Sequence, residues 1–221
     1  MSLLFAPRIF SDDSKAEAVR ELLENTVPDR DFYLLVIGSI VLATAGILID
    51  SIPVLIASMI VAPLAYPILA LGLGIITTDW RLLARAFGMV VISAISAIVI
   101  AGLFSLVAKS YFTVAEERVF VRFFPNYSFD ILIAIVSGVI ASYGLIRTKV
   151  GAAMTGIGIA VSLMPPLVAT GIGLFDPVNN LAGRAFEIFL LNVLGILVAS
   201  IIIFLCFGIR RQYQAVRHNL K

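Results

Sequence analysis

This sequence predicts an all-α integral membrane protein with six transmembrane helices in two inverted three-helix repeats, the second and fifth helices broken by proline and glycine. Three observations carry that expectation. Of the 221 residues, 61% are hydrophobic and 14% charged, and the mean hydropathy is +1.07, far from the balance of soluble domains. Six apolar runs approach the roughly 20 residues that match a bilayer's hydrocarbon core. One phrase, "PILALGLG" at 67–74, returns as "PLVATGIG" at 166–173, 99 positions later.

Residues 1–30 form a polar leader containing "SDDSKAEAVRELLENTVPDRD". A cleavable signal would place its apolar core nearer the start, so the leader is expected to be retained. Ser14 and Glu17 have the spacing of a capping box, opening a short helix with Val19, Leu22 and Leu23 on one face. That helix faces the membrane surface or a partner, or is simply solvated.

The first membrane unit, 31–108, holds apolar runs at about 32–49, 53–76 and 86–108. The second run contains Pro53, Pro63 and Pro67, then Gly72 and Gly74. As a helix it would cover about 36 Å, enough to span, with a re-entrant hairpin as the alternative. The connection at 109–128 is aromatic, and Tyr111, Phe112, Phe120, Phe123, Phe124 and Tyr127 suit an interfacial belt, a lid or an oligomer contact. The second unit, 129–207, has runs at about 129–146, 152–175 and 185–207. Its middle run carries Gly151, Gly156, Gly158, Pro165, Pro166, Gly171 and Gly173. A basic tail at 208–221 includes His218.

Between 67–87 and 166–186, eight of 21 positions are identical without a gap: Pro67, Ala70, Gly72, Gly74, Leu82, Arg85, Ala86 and Phe87 recur at the shifted positions. Composition alone would give roughly two or three, so the unit is duplicated. Three spans per unit force the second unit to enter from the opposite side. With both termini cytoplasmic, 12 lysines and arginines fall on that side and four (Lys109, Arg118, Arg122 and Arg184) on the other; re-entrant second and fifth runs would leave the units parallel and divide them 11 to 5, so the count alone does not choose between the two topologies.

Proline inside a helix costs roughly 3 kcal/mol, and non-helical backbone at membrane depth survives only where protein or water satisfies it. Matched breaks in inverted units are how secondary transporters build a solute site near the midplane. The expected site residues are therefore Ser58, Pro63, Tyr66, Pro67 and Gly72 in the first unit, and Thr155, Ser162, Pro165, Pro166, Thr170 and Gly171 in the second. The competing expectation is close helix packing, for which small residues and kinks also serve. Arg85 and Arg184 read as interfacial anchors, Glu187 as a partner one turn from Arg184, and Asn192 as a hydrogen bond between helices.

With one cysteine, Cys206, no internal disulfide can form, and its expected role is a small buried hydrophobe. No His/Cys cluster for a metal, no phosphate loop and no paired carboxylates within the spans point to catalysis, so neither an enzyme nor a cofactor is expected. The spread charge of +2 does not argue for nucleic acid.

"SIPVLIASMIVAPLAYPI" and "GIGIAVSLMPPLVATGIGL" resemble the two hallmark segments of a prokaryotic family of hydrophobic membrane proteins called domain of unknown function 389. The likeness runs from about 31 to 207, most specifically in Ala62-Pro63-Leu64 with Pro67 and in Met164-Pro165-Pro166-Leu167 followed by Thr170-Gly171. It implies a membrane fold and location and no activity. The function expected is a secondary transporter or channel-like permease for a small solute or ion, a multi-pass protein of the cell membrane acting as a homo-oligomer, dimer or trimer. The alternative is a non-transporting module that binds a lipid or protein partner.

Overall fold

Each apolar run becomes helix in the computed structural model, which describes residues 12–109, 126–147, 152–175 and 180–219. In chain order the helices are α1 (Asp12–Glu24), α2 (Arg30–Leu48), α3 (Ile52–Val61), α4 (Ala65–Thr77), α5 (Trp80–Lys109), α6 (Tyr127–Ile146), α7 (Ala152–Phe175), α8 (Leu181–Cys206) and α9 (Ile209–Asn219). No strand occurs among the described residues. Helices α2, α5, α6 and α8 are long and apolar enough to cross a membrane, and α3 with α4 makes a fifth span if the pair counts as one. The remaining run, the fifth in chain order, is α7, helical over 24 residues. The aromatic connection at 110–125 lies outside the described residues.

Local chemistry sets the helix ends. Asp29 caps α2 by accepting a hydrogen bond from the Phe32 N–H at 2.8 Å. Asp79 does the same for α5, accepting from the N–H groups of Arg81 at 2.9 Å and Leu82 at 3.2 Å. Thr78 closes α4 in the left-handed region at φ 57°, and Asp50 makes the turn between α2 and α3 at φ 52°. Helix α1 begins at Asp12, so Ser14 lies in its first turn and not at the expected cap.

The duplicated phrases are the centre of the bundle. Every residue of 67–74 and every residue of 166–173 is buried, which is why both segments are apolar all round and lack a polar face. Helix α4 packs against α5 of its own unit and α8 of the other, while α7 packs against α8 of its own unit and α5 of the other. Glycines make these approaches possible. A side chain at Gly74 would meet Leu83 Cγ at 2.8 Å, and one at Gly173 would meet the Ala182 backbone nitrogen at 2.6 Å. Leu83 and Ala182 are themselves 99 apart. Gly72 faces the Ser200 hydroxyl of α8, and Gly171 faces the Ile98 backbone of α5.

The correspondence continues where sequence identity stops. Along α5, Leu82, Ala86, Met89, Val90, Ser93, Ala97, Ala101 and Ser105 are buried. Their counterparts along α8, Leu181, Ala185, Ile188, Phe189, Asn192, Ile196, Ser200 and Phe204, are buried too. These two helices run in opposite directions through the bundle. Asp79, at the start of α5, bonds Tyr213 of α9, and α9 begins just after α8 ends.

The expected break in the fifth run is absent, which corrects the sequence reading. Helix α7 passes through Pro165 and Pro166 without interruption, whereas the second run is interrupted at Ala62-Pro63-Leu64 and bends by 47°. The reason lies in which proline does the breaking. Ala62 is extended (φ −67°, ψ 118°), as a residue before proline prefers. Pro67 then sits third in α4, where its missing N–H would have had no helical partner anyway. The counterpart of Pro63 is Ser162, which keeps its N–H.

Cys206 is exposed on α8, not buried as expected. It ends the helix on the apolar outer surface beside exposed Leu205.

Candidate functional site

The interruption between α3 and α4 opens a cavity of about 540 Å³. Its walls come from the α1–α2 turn (Glu24, Asn25, Val27, Asp29), the first turns of α2 (Asp31, Phe32, Leu35) and the α3–α4 junction (Ile60 to Pro63, Ala65, Tyr66). Because Phe32 and Leu35 lie within the first two turns of α2, the break is level with the beginning of that helix and not with its middle.

The chemistry of the wall is mixed. Leu35, Ile60 and Val61 are apolar, and Pro63 has no N–H to offer the Met59 carbonyl, so the C-terminal end of α3 presents acceptor groups and the negative end of its dipole. Three carboxylates, Glu24, Asp29 and Asp31, stand in the same wall, all exposed. Both features disfavour an anion and accommodate a cation or a neutral polar solute, although exposure to water and salt weakens the effect of the carboxylates. Among the described residues, no three His, Cys, Asp or Glu side chains gather closely enough to hold a metal ion.

Tyr66 links the cavity to α1, donating its O–H to Glu21 Oε1 at 2.9 Å. Nearby, the Arg85 guanidinium reaches the Thr26 carbonyl at 3.5 Å, tying α5 to the α1–α2 turn.

Of the residues predicted from sequence, Pro63 and Tyr66 line this cavity. The others serve the packed interior or cannot be placed. Ser58 is fully buried and donates to the Leu55 carbonyl of its own helix at 2.6 Å. Pro67 and Gly72 are buried within α4, and Pro165, Pro166 and Gly171 within α7. Thr170 is 4% exposed and donates to the Pro166 carbonyl at 2.8 Å. The Thr155 and Ser162 side chains lie outside those described. Sequence reasoning missed Glu24, Asn25, Asp29 and Asp31. The signal for them was the acidic, turn-forming "ENTVPDRD" just before the first span, which reads as a loop until the fold lays it against the α3–α4 break.

The region matched by a known family runs from the α3–α4 break to beyond the two prolines of α7. The family described as Domain of unknown function (DUF389) matches residues 59–198, well over half the chain. The chain belongs to that family. It is also 29% identical over 212 residues to the uncharacterized protein MJ0678 of Methanocaldococcus jannaschii, a match covering 92% of this chain and 65% of that protein. The chain thus spans about 65% of the length of that relative. No solved structure matches the chain.

Proposed function

We propose that this protein is a secondary transporter or channel-like permease of the cell membrane, moving a small cation or neutral polar solute, and not an enzyme. The observation that carries this reading is the 540 Å³ cavity at the interrupted helix, with Pro63 and Tyr66 in its wall and the buried core phrase immediately behind it. Helix interruptions in membrane proteins are costly unless they line a cavity, and this one does. Support for two inverted units comes from the opposite directions of α5 and α8 and from the exchanged packing of α5 on α7 and α8 on α4. Rocking of one unit against the other about the α4–α7 centre would expose the solute alternately to the two sides. Helices α1 and α9 pack together beside the cavity, and the lysine and arginine count supports a cytoplasmic location for that side. A homo-oligomer would enclose the path more completely than six helices can.

The test is flux in proteoliposomes for a panel of inorganic cations and uncharged polar metabolites, preceded by a thermal-stability screen, because a solute that prefers the folded state raises its stability by mass action. A solute that stabilises the protein and crosses the membrane, with flux reduced by Asp31→Asn or Glu24→Gln, supports the proposal. Absence of stabilisation and flux across the panel would remove it.

The second reading, a non-transporting module, has its own observation. Helix α9 buries Ile209, Tyr213 and Val216 against the protein and exposes Arg210 and Arg211, which suits an anionic lipid headgroup. Co-purified lipid with no solute flux would favour it.

A further inference from the structure

The two terminal helices are fastened to α4 at both of its ends. At its first turn, just past the break, Tyr66 donates to Glu21 of α1 at 2.9 Å. Beyond its last turn, the Tyr213 O–H of α9 donates to Asp79 Oδ2, both residues being buried. The two helices also fasten each other. Gln212 Nε2 donates to Asp12 Oδ1 at 2.8 Å, α1 packs along α9, and Ala18, Val19 and Leu22 of α1 are each no more than 2% exposed.

The end of α1 is also part of the cavity. Glu24 closes α1, and with Asn25 and Val27 it forms the wall that faces the α3–α4 junction. Any movement of α1 away from α4 therefore opens the cavity on that side. The bond that resists the movement joins a carboxylate to a half-buried tyrosine, the charge-assisted kind that is stronger than a neutral pair.

We propose that α1 is a lid over the α4 side of the cavity, latched by Tyr66 to Glu21 and braced by α9, and that release of this latch opens that side to solute. The inference rests on the transport reading of the cavity, but its test does not require flux. In a Cys206→Ser background, Ala65→Cys places a thiol in the cavity wall at a position now 2% exposed. Its rate of labelling by a charged maleimide, in the purified full-length protein, reports how often the lid opens.

Tyr66→Phe and Glu21→Ala should each raise that rate about tenfold, and the double variant should exceed neither by much, because one bond is lost in all three. Unchanged labelling in both single variants overturns the lid. A thiol at Ala97→Cys, buried in α5, must stay unlabelled in the same backgrounds; if it reacts as well, the variants have loosened the whole bundle and the proposal also fails. Labelling that rises as expected in a protein with no flux for any solute leaves the lid standing and sinks the transporter. Measured flux with no change in labelling does the reverse.

Discussion

Set side by side, α3–α4 and α7 carry the same buried phrase, yet the first is interrupted and bent by 47° while the second runs on through two adjacent prolines. The contrast shows that a proline's effect depends on its place in the helix and on what surrounds it. Pro67 stands in a first turn, where the helix does not need its N–H. Pro165 and Pro166 lie within a stretch, 163–173, in which every residue is buried among neighbouring helices that hold the backbone in place. Pro63 has neither protection: it lies at the edge of a cavity, and the residue before it leaves the helix.

The comparison can be broken by giving the second unit the proline it lacks. Ser162→Pro should interrupt α7 and cost about 3 kcal/mol or more, visible as a large drop in unfolding midpoint and in helical circular dichroism. A variant that melts like the parent would show that Pro63 is not what separates the two units.

The core glycines sharpen the comparison at a smaller scale. Gly171→Ala drives a methyl group into the Ile98 backbone, which cannot give, and should cost about 3 kcal/mol. Gly72→Ala meets the Ser200 side chain, which can rotate, so about 1 kcal/mol is expected. Denaturation of the two variants in the same detergent measures the difference, and equal losses would count against this account.

Ser93 and Asn192 occupy the same place in α5 and α8, both buried. The Ser93 hydroxyl has no hydrogen-bond partner among the described residues, so Ser93→Ala should be neutral or stabilising by up to about 1 kcal/mol. Asn192→Ala removes a larger buried polar group and should destabilise by about 1 kcal/mol. Opposite signs in the two melting shifts are the expected outcome; matching signs would mean that the equivalence of position does not extend to role. Cys206→Ser, on the apolar outer surface, should change stability by less than about 0.5 kcal/mol, and a larger shift would place that thiol in a contact between copies.

Much of the fold was legible before any coordinates. The six runs predicted from hydropathy fall on helices, the second divided into α3 and α4 and the third beginning six residues early at Trp80, because long apolar stretches at bilayer length leave the backbone little alternative to helix. The repeat was legible too, since glycines and prolines at a fixed offset stand out against an aliphatic background. The candidate site was less so. Pro63 and Tyr66 line the cavity, whereas the Ser58 and Thr170 hydroxyls donate to carbonyls of their own helices, as a hydroxyl can do as readily as bind a solute.

The sequence by itself determined the membrane class, the helix positions and the duplication, all of which follow from local composition and spacing. Only the tertiary structure decided that one of the two proline-bearing helices breaks and the other does not, that the shared phrases form the packed centre, and that an acidic turn from the leader walls the cavity. Those outcomes depend on which surfaces meet. A proline's cost and a glycine's use are set by the neighbour across the contact, and no periodicity along the chain says which neighbour that will be.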